Sequence, residues 1–340
     1  MTDPLTRLFV LSMVGALATV LGAWWVIRRA EGLGLIDLPG QRRMHQVPTP
    51  RGGGIGMVAA LVLILGLSVP GMLLPATLTS VLAALMTFLA TVGFWDDRRG
   101  LPVLPRLAAH LGCSMVMAGA LFVWVPGVPL WSLAVVPILF AASINLANFL
   151  DGLNGILSIQ FTFVMLALVL LLPAQSSLLP IALAAGIAVL VFLPFNFPVA
   201  RCFMGDAASG TLGFFLAVVL VLAVLRGDLS VPAAIMLPSA LLLDTTLTLL
   251  SRIVRGKKFW RAHREHLYQW WARSGRSVWF VNGAFLCWNV FSAVLAWWFI
   301  DHELQLARQW LVMAVFLLIG SLLWWNIRHW ILRQLRERPY

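Results

Sequence analysis

The chain is 340 residues long, 61% hydrophobic and only 11% charged, yet it carries a net charge of +11. That balance excludes a soluble globular fold, because too few polar residues exist to cover the apolar surface. The basic excess lies beside apolar runs, where it suits membrane lipid headgroups and topology, so no nucleic-acid partner is expected.

Near-continuous apolar runs fall at 5–27, 53–69, 76–95, 107–125, 130–149, 156–173, 178–195, 208–225, 231–250, 278–299 and 308–330. Each is close to the length that crosses ~30 Å of hydrocarbon at about 1.5 Å per residue, which predicts about eleven transmembrane helices. Membrane strands would alternate, and these runs do not. The reading is an all-α, polytopic integral membrane bundle forming one domain over 1–340. The first run lacks a basic leader and a small-residue cleavage pattern, so it reads as a retained helix.

Eleven crossings place the termini on opposite sides. Of the 24 Lys and Arg, 21 then share one side, leaving only Arg7, Arg226 and Arg308 on the other. By the positive-inside rule the N-terminus is outside and the C-terminus cytoplasmic. Trp24, Trp25, Trp324, Trp325 and Trp330 fall near the inner interface and Trp124, Trp131, Trp297 and Trp298 near the outer one, as anchors. Cys113, Cys202 and Cys287 have neither disulfide nor metal-site spacing and read as small apolar fillers.

Five polar stretches, all on the cytoplasmic side, carry the candidate chemistry: HQVPTPRGGG (45–54), WDDRRG (95–100), NLANFLDGLNG (145–155), FMGD (203–206) and HREHLYQ (263–269). In the first, His45 and Arg51 flank a Pro-Gly turn; its glycines offer amide N–H groups to an anion or merely redirect the chain. Asp96 and Asp97 end the third helix side by side, where adjacent acids repel unless a cation or proton relieves them; a solvated helix end looks the same. Asn145, Asn148 and Asp151 follow i, i+3, i+6 spacing on one helix face. Gly152, Asn154 and Gly155 then break that helix, giving backbone that approaches a ligand closely. Asp206 precedes the eighth helix, where a carboxylate benefits from the dipole or simply caps. Together these acids and amides make an all-oxygen site suited to Mg²⁺. Asp244 lies within the ninth helix; an intramembrane acid suggests function, and pairing with Arg252 two turns below is the structural alternative. His263, Arg264, Glu265 and His266 sit in the longest basic loop, as a solvated cluster or as phosphate and sugar recognition.

Taken in this order, the five stretches resemble the bacterial polyprenyl-phosphate N-acetylhexosamine-1-phosphate transferases, glycosyltransferase family 4, which includes the lipid I synthase and the enzymes that initiate O-antigen and teichoic-acid synthesis. HREHLYQ and PTPRGGG are more similar to the O-antigen-initiating branch than to the lipid I branch, whose triple-histidine signature is missing here. The resemblance implies transfer of a sugar 1-phosphate from a UDP-N-acetylhexosamine to undecaprenyl phosphate, releasing UMP, at the inner membrane of a bacterium. It implies Mg²⁺, with Mn²⁺ as a substitute, and a homodimer.

Residue by residue, the resemblance assigns Asp97 to a position near metal and lipid phosphate, Asp96 to deprotonating or orienting that phosphate, and Asp206 and Asn148 to Mg²⁺. It makes Phe203 the ring that stacks on uracil and puts Asn154 where nucleotide contacts form. His263, Arg264 and His266 match the loop that closes over diphosphate and sugar. Asp151, His45 and Arg51 complete the candidate binding set. Two departures are His45, where lipid I enzymes carry Lys, and Arg106, which occupies a Lys position and cannot lose its proton. The competing class is a many-helix transporter or lipid flippase, which would place its polar groups near the midplane.

Overall fold

Long apolar runs can close every backbone hydrogen bond internally only as helices. Fourteen α-helices and one two-stranded ribbon make up residues 4–39, 47–69, 73–258 and 263–337, the part of the chain that this computed structural model describes. Eight helices are long and apolar enough to cross a membrane: Leu5–Leu33, Ala76–Arg99, Val103–Trp124, Ser132–Leu150, Leu179–Asn196, Asp206–Leu225, Val278–Asp301 and Leu306–Leu335. The protein is therefore an all-α, multi-pass membrane protein. Two shorter apolar helices, Ile55–Ser68 and Ile156–Leu171, fill two more of the predicted runs.

The described residues fall into two compact units, the first ending at Leu229 and the second starting at Ser230. In the first unit, α1 (Pro4–Leu33) leads into β1 (Ile36–Asp37), which pairs antiparallel with β2 (Thr49–Pro50). Then follow α2 (Ile55–Ser68), α3 (Ala76–Arg99), α4 (Val103–Trp124), α5 (Ser132–Leu150), α6 (Ile156–Leu171), α7 (Leu179–Leu190), the single turn α8 (Leu193–Asn196) and α9 (Asp206–Leu225). The central element is α9: 83% of its most apolar stretch is buried, whereas for α4 the figure is 39%. Phe214 meets Phe140 of α5 edge-on at 5.6 Å, and Phe215 meets Phe161 of α6 at 6.1 Å.

In lipid the apolar effect does not drive helices together, so small residues that let backbones approach carry the packing. A side chain at Gly213 of α9 would collide with the Ser143 carbonyl of α5, and one at Gly93 of α3 would collide with the Asp206 carbonyl of α9. The Ser143 hydroxyl donates to the Gly213 carbonyl at 2.7 Å across the same contact. These close approaches bring the cytoplasm-predicted ends of α3, α5 and α9 together.

The second unit contains α10 (Val231–Met236), α11 (Ser239–Val254), α12 (Leu267–Arg273), α13 (Val278–Asp301) and α14 (Leu306–Glu337). The apolar run 231–250 is thus two helices and not one, because the chain turns at Leu237–Pro238 and proline cannot donate to the preceding turn. Gly320 of α14 sits against Leu243 of α11 and Trp288 of α13. Trp324, read from sequence as an interfacial anchor, is instead buried, while Trp24, Trp25, Trp325 and Trp330 are exposed as anchors should be. The three cysteines are free.

Candidate active site

In the first unit, α3 ends in the acidic pair. Gly100, in the left-handed region at φ 68°, stops the helix, and Asp96 and Asp97 are both buried there. Asp96 is held on both oxygens: Oδ1 accepts the Leu101 N–H at 2.6 Å, and Oδ2 pairs with the Arg106 guanidinium from the first turn of α4. Asp97 Oδ2 accepts the Ala207 N–H of α9 at 3.3 Å, and its Oδ1 lies 3.8 Å from Arg51 Nη1.

Asp206 opens α9, and Arg106 Nη1 is also 3.6 Å from its Oδ2. The same Arg106 nitrogen also pairs with Asp96 Oδ2, so one guanidinium lies between the two carboxyls. Two carboxyls so close need a shared proton or a cation between them. Gly205, at φ 82°, gives the turn its shape, and a side chain there would sit 2.6 Å from Asp97 Oδ2 and 2.8 Å from the Gly52 nitrogen.

The PTPRGGG and FMGD stretches come together through the backbone. Phe203 N–H donates to the Pro50 carbonyl at 2.8 Å, Gly53 N–H to the Phe203 carbonyl at 3.0 Å and Gly54 N–H to the Met204 carbonyl at 3.0 Å. This pairing consumes the Gly53 and Gly54 amides, so these two brace the FMGD turn and do not form an open anion cradle. It also carries Arg51 toward Asp97, and the same Nη1 lies 3.8 Å from Asp37 Oδ1. Phe203 is left half-buried. His45 lies outside the described residues.

Asn148 is on the α9-facing side of α5, where its Oδ1 accepts the Ser209 hydroxyl at 2.9 Å. Asn145 instead donates to the carbonyl of Ala141 at 2.7 Å on its own helix. Asp151 caps α5; burial, then the charge of Asp97, push its carboxyl up to about 7. Asn154 donates to the Pro198 carbonyl at 2.9 Å. Gly155 beside it donates to Asn196 Oδ1 at 2.6 Å, which fixes this loop against the segment leading to Phe203. The structure thus gathers Arg51, Asp96, Asp97, Asp206 and Asn148, with Asp151 close enough to feel Asp97.

Sequence reasoning passed over His110, one turn beyond Arg106 on the buried side of α4, and Ser209. His110, Arg106, Asn148 and Asp206 line a cavity of about 10 Å³, room for no more than one water. The i, i+4 spacing from Arg106 was the available signal.

In the second unit, His263, Arg264 and Glu265 line a cavity of about 510 Å³ with Arg252, Arg255, Lys257, Arg273 and Arg328. Among the described residues, Glu265 is the only carboxylate in that lining. Burial opposes its ionisation, but Lys257 at 3.0 Å, Arg255 at 2.6 Å and Arg252 bring it down to about 2. His263 and His266 are both held near 4: burial acts first, with neighbouring positive charge adding to it. Both imidazoles are therefore neutral at pH 7, and positive charge comes from the arginines. Arg264 keeps Nε and Nη2 buried without a hydrogen-bond partner. Arg252 pairs with Glu265, so it is not the partner of Asp244 that its spacing suggested.

No three of His, Cys, Asp and Glu among the described residues converge as a ready-made metal cage. Mg²⁺ does not need one, since it is bound by one or two carboxylates together with waters and substrate phosphate. The all-oxygen set of Asp97, Asp206 and Asn148 gathered at the start of α9 has the donor chemistry that fits that ion.

Comparison with known proteins agrees with the geometry. Residues 78–224, which hold the acidic pair, the NLANFLDGLNG stretch and FMGD, match the family described as Glycosyl transferase family 4. The chain is 27% identical over 322 residues to the decaprenyl-phosphate N-acetylglucosaminephosphotransferase of Mycolicibacterium smegmatis, covering 81% of this chain and 77% of that protein. It is also 27% identical over 323 residues to the undecaprenyl-phosphate alpha-N-acetylglucosaminyl 1-phosphate transferase of Escherichia coli K12, covering 89% and 86%. An acidic cluster at the helix ends, its order along the chain and these relatives agree: the chain is similar to the polyprenyl-phosphate N-acetylglucosamine-1-phosphate transferases, and its residues 78–224 match glycosyl transferase family 4.

Proposed function

We propose that this transferase moves an N-acetylhexosamine 1-phosphate from a UDP-sugar to undecaprenyl phosphate, releasing UMP, on the cytoplasmic face of a bacterial inner membrane. The observation that carries the reading is the meeting of Asp96, Asp97 and Asp206 with Arg51 and Arg106 at the ends of α3 and α9. In the reaction a P–O bond forms from the acceptor phosphate to the sugar-bearing phosphorus, and the P–O bond to UMP breaks. Both partners are anionic, so the site must neutralise charge and hold them in line.

Asp97, Asp206 and Asn148 would hold Mg²⁺, which when bound offsets the charge of the diphosphate and leaving group. Asp96 orients and does not deprotonate: both its oxygens are engaged, and a phosphate monoester with a second pKa of about 6 is already largely ionised at neutral pH. Its part is to fix Arg106, whose permanent charge faces Asp206 and the incoming phosphate. Phe203 stacks on uracil. Arg264, with two buried donors uncommitted, binds diphosphate, and the neutral His263 and His266 hydrogen-bond the sugar.

The pathway we assign is initiation of lipid-linked O-antigen or a related lipopolysaccharide or cell-wall polymer, and the chain works as a homodimer. A transporter is disfavoured because the acids gather at helix ends and not at midspan.

The test is UMP release by purified protein in detergent with undecaprenyl phosphate, a panel of UDP-N-acetylhexosamines and Mg²⁺ or Mn²⁺, with and without EDTA. We expect release from one donor, dependent on lipid and metal. UMP release unaffected by EDTA removes the metal role; no release from any donor by folded protein removes the assignment.

A further inference from the structure

Helix α11 carries three buried polar side chains at i, i+4 and i+8: Asp244, Thr248 and Arg252. That spacing places them along one stripe. Ionic and hydroxyl groups on a helix of apolar character persist only where they find partners, and each of these has a specific one.

Asp244 accepts four hydrogen bonds. The Leu267 N–H reaches Oδ1 at 2.7 Å and the Tyr268 N–H reaches Oδ2 at 3.4 Å; these are the first two amides of α12. The Trp324 indole of α14 donates at 2.9 Å and the Thr248 hydroxyl at 3.4 Å. Amides in a first helical turn have no partner within their helix, so a carboxylate placed there fixes where the helix starts. At the other end of the stripe, Arg252 pairs with Glu265 and donates through Nη2 to the Lys258 carbonyl at 2.9 Å. The segment His263–His266 is therefore gripped at Glu265 and again at Leu267 and Tyr268, from one face of one helix. Between the grips, His266 stacks on His263 at 4.9 Å and on Tyr268 at 5.6 Å.

We propose that the Asp244–Thr248–Arg252 stripe is a positioning device that sets the His263–His266 segment in its substrate-binding geometry, with Asp244 the principal positioning residue. The donor-binding role of that segment rests on the function proposed above; the gripping of the segment by the stripe does not. The device places no group of its own on the substrate. It replaces the ordering that a loop would otherwise undergo when ligand arrives, so its loss weakens donor binding before it slows chemistry.

The test uses Asp244→Asn, which keeps the volume but turns an acceptor into a donor facing two N–H groups, and Glu265→Gln, which loosens the other grip in a loop. Two readouts are taken on the full protein in detergent. Amide hydrogen exchange is followed over residues 263–273, with α3 and α9 as internal controls. UMP-release kinetics separate the donor KM from the acceptor KM and kcat.

We expect at least tenfold faster exchange over 263–273 in Asp244→Asn, unchanged exchange in α3 and α9, a donor KM raised tenfold or more, and an acceptor KM within twofold. Glu265→Gln should shift both readouts in the same direction by a smaller factor, and it decides the matter if Asp244→Asn does not fold. Faster exchange with an unchanged donor KM would reduce the stripe to a purely structural contact and overturn the proposal. Unchanged exchange would overturn the gripping itself. If wild-type protein turns over no UDP-sugar, it is the donor reading that fails, and the exchange readout still decides whether the stripe holds the segment.

Discussion

Asp206→Asn and Asp97→Asn each exchange a carboxylate for an amide of nearly the same volume, so they separate the charge of the site from its packing. Asp97 can keep its contact with the Ala207 N–H as an amide, but it loses its attraction to Arg51. We expect either substitution to lower kcat by about 10²–10³-fold, the range seen when one transition-state contact is removed, with elution and melting close to wild type. Phe203→Ala should raise the donor KM alone, by about 1–3 kcal/mol of lost stacking. Near-full activity in both Asp variants would dismiss the site, and equal losses for donor and acceptor would dismiss the stacking role. The acids and Asn148 were legible because short polar groups stand out against apolar helices. His110 and Ser209 were not, since a single His or Ser within such a helix is as readily a satisfied core residue. Trp324 was misread for a related reason: tryptophan near a helix end suits an interface equally well, and only the buried Asp244 facing it makes the difference.

At the level of elements, the site depends on how closely α3 and α9 approach, and that distance is set by Gly93. A Cβ there would fall on the Asp206 carbonyl and within 2.6 Å of Ala207 Cα, both backbone atoms that cannot swing aside. Gly93→Ala should therefore push the acidic pair from Asp206 and lower stability by about 1–3 kcal/mol, the usual penalty of overpacking. A lower melting temperature together with loss of UMP release is the expected result; unaltered activity would mean that the helices have room to separate without disturbing the acids. Helix existence was readable from hydropathy, but this contact was not, because a glycine within an apolar run gives no sign of which neighbour it faces. The break at Leu237–Pro238 was readable in principle from the proline, yet the run around it is apolar enough to read as one span.

For the molecule as a whole, charge distribution carries a prediction that neither helix packing nor likeness to the transferases contains. Setting 21 of 24 Lys and Arg on one side requires an odd number of crossings with the N-terminus outside. Arg308 and Arg99, both exposed, then lie on opposite faces, and the acids at the end of α3 share the face of Arg99. Cysteines placed at these two positions can be distinguished cleanly once the exposed Cys287 is changed to Ser, because Cys113 and Cys202 are buried. In intact spheroplasts, a membrane-impermeant maleimide should label Arg308→Cys and leave Arg99→Cys unlabelled; after permeabilisation both should react. The opposite pattern would turn the acidic cluster outward, away from a cytoplasmic nucleotide sugar, and the donor proposed here would fail even with the transferase fold intact. Labelling of both positions in intact spheroplasts would mean an even number of crossings between them, and the span at α6 or α10–α11 would be the first to reassign, since α6 is shorter than the eight long apolar helices and α10–α11 is broken at Leu237–Pro238.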